Sequence, residues 1–238
     1  SGFSATMDLS SLDGSNGSRL DGEGFGANSG RSVSTAGDVN GDGFDDVIVG
    51  ADADTNGHSS GSSYVVFGKA SGFDATINLS DLDGGNGFRL VGAAHDYSGR
   101  SVSNAGDMNG DGFDDLIIGA PFADTNIYDS GSSYVVFGKA SGFSATMELS
   151  SLDGSNGSRL DGVAERDYSG ESVSNAGDVN GDGFDDVIVG ALGTDPNGDY
   201  SGSSYVVFGK APGFSANMDL SSLDGSNGFR LDGVQREI

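Results

Sequence analysis

The sequence lacks cysteine and tryptophan, and only 3 of its 238 residues are proline. Without cysteine the chain has no disulfide framework, no thiol nucleophile and no all-cysteine zinc site. Basic residues are also scarce, because 11 Lys and Arg stand against 36 Asp and Glu and leave a formal net charge of −25. So acidic a chain is unsuited to nucleic-acid backbones and to anionic lipid surfaces, since both attract basic residues.

Long apolar runs are missing as well, and hydrophobic residues make up only 35% of the chain. No segment approaches the roughly 20 apolar residues that a membrane-spanning helix needs. Glycine is abundant, with 43 residues, and high glycine with lopsided charge is typical of disordered chains. The order of the residues argues against disorder, because the sequence repeats itself.

Three strings of residues recur along the chain with a period of about 70 residues. The string SGSSYVVFGKA occupies 60–70, 130–140 and 201–211, and the string NGDGFDD begins at Asn40, Asn109 and Asn180. A third string, Leu-Asp-Gly followed by Asn-Gly and an Arg-Leu pair, occurs four times. A repeat of this length is one supersecondary unit that buries its faces against its neighbours.

Each repeat contains stretches typical of β-strands, and none has the 3.6-residue period of a helix. Representative strands are predicted at 88–92, 100–107, 115–120 and 133–138, which gives four strands per repeat. Runs such as VIVG at 47–50 are apolar on both faces, as in a sheet that is covered on both sides. Stacked four-stranded antiparallel sheets form a β-propeller, which is the predicted all-β fold. A β-sandwich is the alternative, but it needs no strict period.

The clearest chemical signal is an acidic nine-residue loop between the first two strands of each repeat. Oxygen-bearing side chains occupy positions 1, 3, 5 and 9, Gly occupies position 6, and the carbonyl of position 7 can point inward. This spacing matches the start of an EF-hand loop and suits a hard cation with many oxygen ligands. We therefore predict three calcium ions, one per repeat, with these ligands: Asp38, Asn40, Asp42, Phe44 and Asp46; Asp107, Asn109, Asp111, Phe113 and Asp115; Asp178, Asn180, Asp182, Phe184 and Asp186.

Position 12 of these loops is apolar rather than Glu, so the ninth-position Asp46, Asp115 and Asp186 are expected to ligate with both oxygens. The eighth-position residues are expected to face solvent or a neighbouring backbone group; they are Asp45, Asp114 and Asp185. A metal-free polar turn is the alternative, but it leaves four carboxylates in nine residues to repel one another. Zinc is disfavoured because the loops contain no His or Cys, and magnesium because the ligands are many and flexible.

The repeat resembles the FG-GAP repeat of integrin α-subunits and of many bacterial surface proteins, over essentially the whole chain. Gly119-Ala120-Pro121 reproduces the GAP element, whereas the other repeats keep only Gly-Ala. The FG element falls at Ser-Gly pairs such as Ser98-Gly99 and lacks its aromatic residue. The resemblance implies propeller blades with structural calcium. It also implies a non-enzymatic adhesion or interaction scaffold of an extracellular or cell-surface protein.

The repeats divide the chain into a partial unit at 1–22 and blades at 23–92, 93–162 and 163–238. This division predicts thirteen strands, one more than three blades contain, and propellers have four or more blades. We therefore expect either part of a longer propeller or a homo-oligomer, most simply a dimer with about six blades. The end blades would otherwise expose apolar faces, which favour association.

A second and less regular acidic turn follows the second strand of each repeat. It contains Asp52, Asp54 and Asn56; Asp124, Asn126 and Asp129; and Asp195, Asn197 and Asp199. Its spacing differs between repeats, which favours a polar turn over an auxiliary calcium site, and a varying loop is a natural place for partner contacts. His58 and His95 occupy different places in their repeats and are expected to be exposed turn residues.

The alternative function is a polysaccharide-active enzyme or a glycan-binding propeller with its site in the variable loops. Catalysis needs a unique constellation of residues, whereas most acidic residues here are repeated. Only Glu165, Arg166 and Asp167 are candidates, and Asp96 already parallels Asp167. We therefore predict no catalytic residues, calcium as the sole cofactor, and a protein or a glycan as the external ligand.

Overall fold

The computed structural model describes residues 6–53, 58–124 and 127–234, in which β-strands dominate. The sixteen strands are β1 (Arg19–Asp21), β2 (Ser32–Gly37), β3 (Asp46–Ala51), β4 (Ser62–Val66), β5 (Thr76–Asn78), β6 (Gly87–Val91), β7 (Ser101–Gly106), β8 (Asp115–Ala120), β9 (Ser132–Val136), β10 (Thr146–Glu148), β11 (Gly157–Asp161), β12 (Ser169–Gly177), β13 (Asp186–Ala191), β14 (Ser203–Val207), β15 (Asn217–Asp219) and β16 (Gly228–Asp232). Single turns of 3-10 helix lie at Leu9–Ser11, Leu79–Asp81, Leu149–Ser151 and Leu220–Ser222.

Each repeat forms one antiparallel sheet of four strands, as predicted. The strand orders are β2-β3-β4-β6, β7-β8-β9-β11 and β12-β13-β14-β16. The register is the same in each sheet: Val47 is opposite Val66, Leu116 is opposite Val136, and Val187 is opposite Val207. The chain is therefore all-β, and its three sheets are β-propeller blades.

The predicted tally of thirteen strands is wrong, because three short strands escaped the sequence pattern. β5, β10 and β15 each have three residues and lie between the third and fourth strands of their own repeat. Each crosses to the preceding repeat and pairs in parallel with its last strand, as in the pairing of Thr76 with Arg19. A three-residue strand has too little alternation to be detected, and its partner lies far away in the sequence.

Among the described residues, the two larger hydrophobic clusters lie between neighbouring blades, and a smaller one lies within the first repeat. One cluster joins Ile48 and Leu90 of the first blade to Leu116 and Ile118 of the second. A second cluster continues from the other face of the second blade, through Ile117, into the third blade. In the second blade Leu116, Ile117 and Ile118 are all fully buried. In the second blade this confirms the prediction that the apolar runs belong to sheets covered on both faces, whereas in the predicted run of the first blade Val47 is 42% exposed.

The predicted blade ranges 23–92, 93–162 and 163–238 each contain one of the three antiparallel sheets. The boundaries themselves, and the partial unit at 1–22, remain predictions. Within the described part of the chain, no helix has the length and apolar composition that crossing a membrane would require.

Candidate metal centres

The three acidic loops connect the first and second strands of the blades, where the sequence placed them. Each loop follows a β-bulge, at Thr35/Gly37 in the first blade, and leads directly into the second strand. Gly43 at position 6 has a φ of 87°, and its counterparts Gly112 and Gly183 have φ values of 89° and 93°. Only glycine adopts this left-handed conformation without strain, which explains why it stands at the sharp turn of every loop.

Inside the first loop the predicted ligands turn their oxygens towards the backbone N–H groups that follow. Asp38 accepts hydrogen bonds from the N–H groups of Asp42 and Gly43, at 3.0 and 2.9 Å. The side-chain oxygen of Asn40 accepts from the Asp42 N–H at 2.9 Å, and Asp42 accepts from the Phe44 N–H at 2.9 Å. The second and third loops repeat these bonds within 0.1 Å. The sequence pattern therefore specifies one loop geometry three times.

The ninth-position aspartates are buried at the base of the loops. Asp46 accepts hydrogen bonds from the N–H of Val39 at 3.0 Å and from the N–H of Gly68 at 2.7 Å. Asp115 and Asp186 make the same pair of bonds. Each carboxylate thus ties the loop to the end of the third strand, a role that sequence reasoning missed because Gly68 lies 22 residues away. Ligation of a metal by both oxygens stays a prediction.

Burial makes these aspartates poor places for a lone negative charge. Burial raises the pKa of Asp46 to about 6 and that of Asp115 to about 8, with smaller contributions from the other carboxylates of the same loop. Burial also raises the pKa of Asp186. Among the residues that the structure describes, no Lys or Arg forms an ion pair with a carboxylate of these loops. Each loop is therefore a concentration of negative charge without a protein cation.

The donor set of the loops fits calcium by its chemistry. Carboxylate, amide and carbonyl oxygens are the ligands that calcium prefers, and the loops contain no His or Cys. Across 6–53, 58–124 and 127–234, no three His, Cys, Asp or Glu side chains already converge as the ligands of one metal ion. The loop carboxylates instead accept N–H groups, as described above. The loops therefore suit calcium because their donors are oxygens and because their negative charge is not paired with a Lys or Arg of the described residues.

Two eighth-position aspartates contact a neighbouring backbone, one of the two placements expected. Asp114 accepts a hydrogen bond from the N–H of Asp38, in the loop of the preceding blade, at 2.8 Å. Asp185 accepts one from the N–H of Asp107 at 3.0 Å. Asp45 is exposed, and its carboxylate makes no hydrogen bond or ion pair among the described residues. Consecutive loops are therefore in direct contact.

The second acidic turn has the hydrogen bonds of a polar turn where it is described. Asp124 accepts the N–H of Asp129 at 2.6 Å, and Asp195 accepts the N–H of Tyr200 at 2.5 Å. Asp52 is instead buried and forms ion pairs with Arg31 at 3.3 Å and Arg100 at 3.2 Å. The remaining residues named for this turn in the first two repeats lie outside the described residues: Asp54, Asn56 and Asn126. In the third repeat the amide of Asn197 donates to the carbonyl of Gly233 at 2.9 Å.

A groove of about 750 Å³ lies at the end of the sheets opposite the acidic loops. Tyr97 and Phe122 line it with their rings tilted against each other at 5.1 Å between centroids, and Tyr168 meets Phe122 edge-on at 5.4 Å. Beside them Arg100 pairs with Asp52 and, at 2.9 Å, with Glu171 of the next blade. The positions of Phe122 and Glu171 hold different residues in the other repeats. This face therefore differs in composition from one repeat to the next. Sequence reasoning named the variable loops but not this aromatic cluster.

The remaining candidates are dispersed or structural. Both histidines are exposed, as expected, yet they meet across two loops, with ring centroids 6.3 Å apart. Glu165 lies 3.9 Å from Arg166, which in turn packs over the ring of Tyr128. Asp167 is buried and accepts the N–H of Ala164 at 2.8 Å. Its counterpart Asp96 is also buried, so both aspartates have a structural role.

Comparison with known proteins identifies the repeat. The FG-GAP repeat family matches residues 29–66, 98–136 and 169–207, and each match covers the first three strands of one blade together with its acidic loop. The chain is an FG-GAP repeat protein. Its three matched repeats coincide with the three antiparallel sheets, so the family assignment and the fold agree.

This FG-GAP protein is also similar to integrin α-subunits. It is 34% identical to integrin alpha-PS5 of Drosophila melanogaster over 177 residues, which are 73% of the chain and 16% of that protein. It is 29% identical to integrin alpha-6 of Gallus gallus over 73% of the chain and 14% of that protein. Integrin alpha-4 of Xenopus laevis is 31% identical over 67% of the chain and 14% of its own length. The chain thus spans about one seventh of the length of these relatives.

Proposed function

We propose that this FG-GAP protein is a non-enzymatic, calcium-stabilised propeller module that serves as an adhesion or interaction scaffold of an extracellular or cell-surface protein. The observation that supports it is the threefold acidic loop, in which buried and clustered carboxylates pair with no Lys or Arg of the described residues. The similarity to integrin α-subunits supports the adhesion role. A bacterial source, which the resemblance also implied, stays a prediction.

Calcium at the loops would act on stability. The residues that would hold it are the fifteen named above, five in each loop. Three divalent ions would add six positive charges and change the formal charge from −25 to −19. A ligand that binds only the folded state stabilises it by about 2.7 kcal/mol when its concentration is 100 times the Kd. Extracellular calcium modules often bind at about 10⁻⁴–10⁻³ M. The similarity to integrin α-subunits is the reason that we place this one outside the cell.

Thermal unfolding with calcium and with excess chelator tests this proposal. We expect the melting temperature to fall markedly in chelator and to recover when calcium is restored. The triple variant Asp42→Asn, Asp111→Asn, Asp182→Asn keeps an acceptor for the hydrogen bonds inside the loops but removes three ligand charges, and it should lose most of the calcium response. Asp83→Asn alters an exposed turn outside the loops and should respond like the wild type. The same melting curve in calcium and in chelator would contradict structural calcium.

We also propose that the blades associate, as a dimer or within a longer ring. Val33, on the outer face of the first blade, is 69% exposed, whereas its counterparts Val102 and Val173 are 6% and 8% exposed. On the last strand, Leu231 is 51% exposed, against 0% for Leu90. Such apolar surfaces favour association. Light scattering of the calcium-loaded protein at micromolar concentration should show a mass above that of the monomer, and a monomeric mass would contradict self-association.

Glycan binding is the second candidate, and the groove opposite the loops favours it. Aromatic rings such as Tyr97 and Phe122 offer apolar platforms, and the neighbouring Arg100 and Asp52 supply polar groups, a combination common in small-molecule sites. We propose this as binding rather than as polysaccharide cleavage. A glycan array probed with the wild type and with Phe122→Ala, each with and without calcium, should show binding that the variant loses. Absence of binding by the wild type would leave the scaffold role alone.

A further inference from the structure

The acidic loops of successive blades are linked by a reciprocal pair of hydrogen bonds. The N–H of Asp38 donates to the carboxylate of Asp114 at 2.8 Å, and the N–H of Asp114 donates to the carbonyl of Asp38 at 3.3 Å. Asp107 and Asp185 repeat the pair at 3.0 and 3.3 Å. In both cases the residue reached is the first predicted ligand of the preceding loop. The eighth position of one loop therefore fixes the first position of another.

Further contacts hold the first and second loops against the next blade. The N–H of Lys139, at the end of the third strand of the second blade, donates to the carbonyl of Val39 at 3.0 Å. The N–H of Lys210 donates in the same way to the carbonyl of Met108 at 2.8 Å. Only Gly fits at Gly41, because a Cβ there would collide with the ring of Phe113. The first two loops are thus held from one side by the next blade.

The third loop makes no such contacts among the described residues. Val179, its second residue, is 50% exposed, whereas Val39 and Met108 at the same position are each 1% exposed. A Cβ on Gly181 would meet nothing within 4 Å, in contrast to Gly41. Loops of nearly the same sequence therefore differ in whether the following blade contacts them.

The two consecutive aspartates in each loop have separate roles. Asp115 accepts N–H groups of its own loop and of Gly138, and it is fully buried. Asp114, one residue earlier, reaches the preceding loop. Because one peptide unit joins them, any interaction that fixes Asp115 also restricts the position of the Asp114 carboxylate. The same holds for Asp185 and Asp186.

We propose that Asp114 and Asp185 are positioning residues that couple calcium binding between neighbouring loops. Occupation of one loop orders its Asp-Asp pair, and the eighth-position carboxylate then holds the first ligand of the preceding loop in place. Because coupling between two sites is reciprocal, filling the preceding loop strengthens binding at the next one by the same factor. The inference rests on the proposed calcium binding and adds the route by which three sites act together.

The test compares Asp114→Ala with Asp45→Ala in the full chain. Both variants remove one carboxylate from the eighth position of a loop, but Asp45 caps no other loop among the described residues. Calcium titrations followed through the backbone amides of Gly43 and Gly112 report on the first and second loops separately. We expect Asp114→Ala to weaken binding at the first loop by about fivefold or more, the lower end of typical coupling. Asp45→Ala should change that affinity less than twofold.

Two further measurements separate coupling from a general loss of structure. Asp114→Asn keeps an oxygen that can accept the Asp38 N–H and should restore most of the affinity. In metal-free protein, hydrogen exchange of the Asp38 amide should be faster in Asp114→Ala than in Asp114→Asn or Asp45→Ala. Equal calcium affinities in Asp114→Ala and Asp45→Ala, with calcium still bound, would overturn the coupling and leave the calcium function standing. A wild type that binds no calcium would overturn both.

Discussion

Residues 7–17 and residues 218–228 have the same sequence, MDLSSLDGSNG, but they differ in burial. Both segments form a single 3-10 turn in which the preceding Asp accepts a serine N–H, at 2.9 Å from Ser10 and 2.8 Å from Ser221. Yet Leu9 is 74% exposed and Leu220 is 1% exposed. The second segment begins in β15, which pairs with β11 of the preceding blade and brings Leu220 into the core shared by the second and third blades. Identical sequence thus gives the same 3-10 turn, and the neighbouring blade decides burial.

The largest expected loss of stability comes from shortening the leucine that is buried in one segment and exposed in the other. Leu220→Ala leaves a cavity between two blades and should lower the free energy of unfolding by about 2–5 kcal/mol. Leu9→Ala changes the same residue in the same turn and should cost less than about 0.5 kcal/mol, as is usual on a surface. Urea unfolding of both variants measures the difference. Equal losses would mean that Leu9 is buried in solution by an interaction not seen here.

A second contrast lies in a buried acid that the first repeat lacks. Asp96 is buried and accepts a hydrogen bond from the hydroxyl of Tyr134 at 3.3 Å, and its counterpart in the first repeat is Ala27. Burial raises the pKa of Asp96 to about 6, so the folded protein keeps a proton that the unfolded chain releases from about pH 4. Stability should therefore fall by roughly 2–3 kcal/mol as the pH rises from 4 to 6 on account of this residue, and then level off.

Asp96→Ala gives the second repeat the residue of the first and should remove that part of the pH dependence. Urea unfolding between pH 4 and 7, in excess chelator, measures the slope against that of the wild type. The exposed turn variant Asp83→Ala serves as the control and should keep the slope of the wild type. If Asp96→Ala also keeps it, Asp96 is ionised in the folded protein at pH 4.

The third contrast uses valines at one position of the second strand. Val187 is fully buried between the second and third blades, whereas Val47, in the same sequence context, is 42% exposed. Val187→Ala should cost about 1.5 kcal/mol, the value for two buried methyl groups, and Val47→Ala clearly less. Thermal unfolding of the two variants gives the comparison. A larger loss for Val47→Ala would show that the outer face of the first blade is covered in solution.

The smallest effect concerns two ion pairs of equal length. Arg159 and Asp161 lie 2.6 Å apart and are largely buried, and Arg19 and Asp21 lie 2.6 Å apart in the open. Asp161 also accepts a hydrogen bond from the hydroxyl of Ser132 at 3.1 Å. Asp161→Asn should cost roughly 1 kcal/mol, and Asp21→Asn should cause no measurable change, because exposed pairs contribute little. Equal stability of the two variants in chemical unfolding would show that burial adds nothing to this pair.

Most of the blade could be predicted from the sequence because its signals are local. The apolar runs gave β8 at its observed bounds, 115–120, and the turn residues gave the three acidic loops. The short strands β5, β10 and β15 could not be found, since each depends on a partner in the preceding repeat. For the same reason the bonds of Asp114 and Asp185 to other loops were foreseen only as one of two options.

The sequence by itself determined the repeat, which its recurring strings show directly. It also determined the strand pattern, the glycine turns and the spacing of the acidic oxygens, because these depend on residues close together in the chain. The tertiary structure alone decided which copy of a repeated residue is buried, which loop is braced by its successor and which side chains form the groove. Val39 and Val179 occupy the same position in the first and third loops. Val39 is covered by the next blade and is 1% exposed, whereas Val179 is 50% exposed. Burial depends on neighbours in space, and a repeated sequence does not by itself say where those neighbours are.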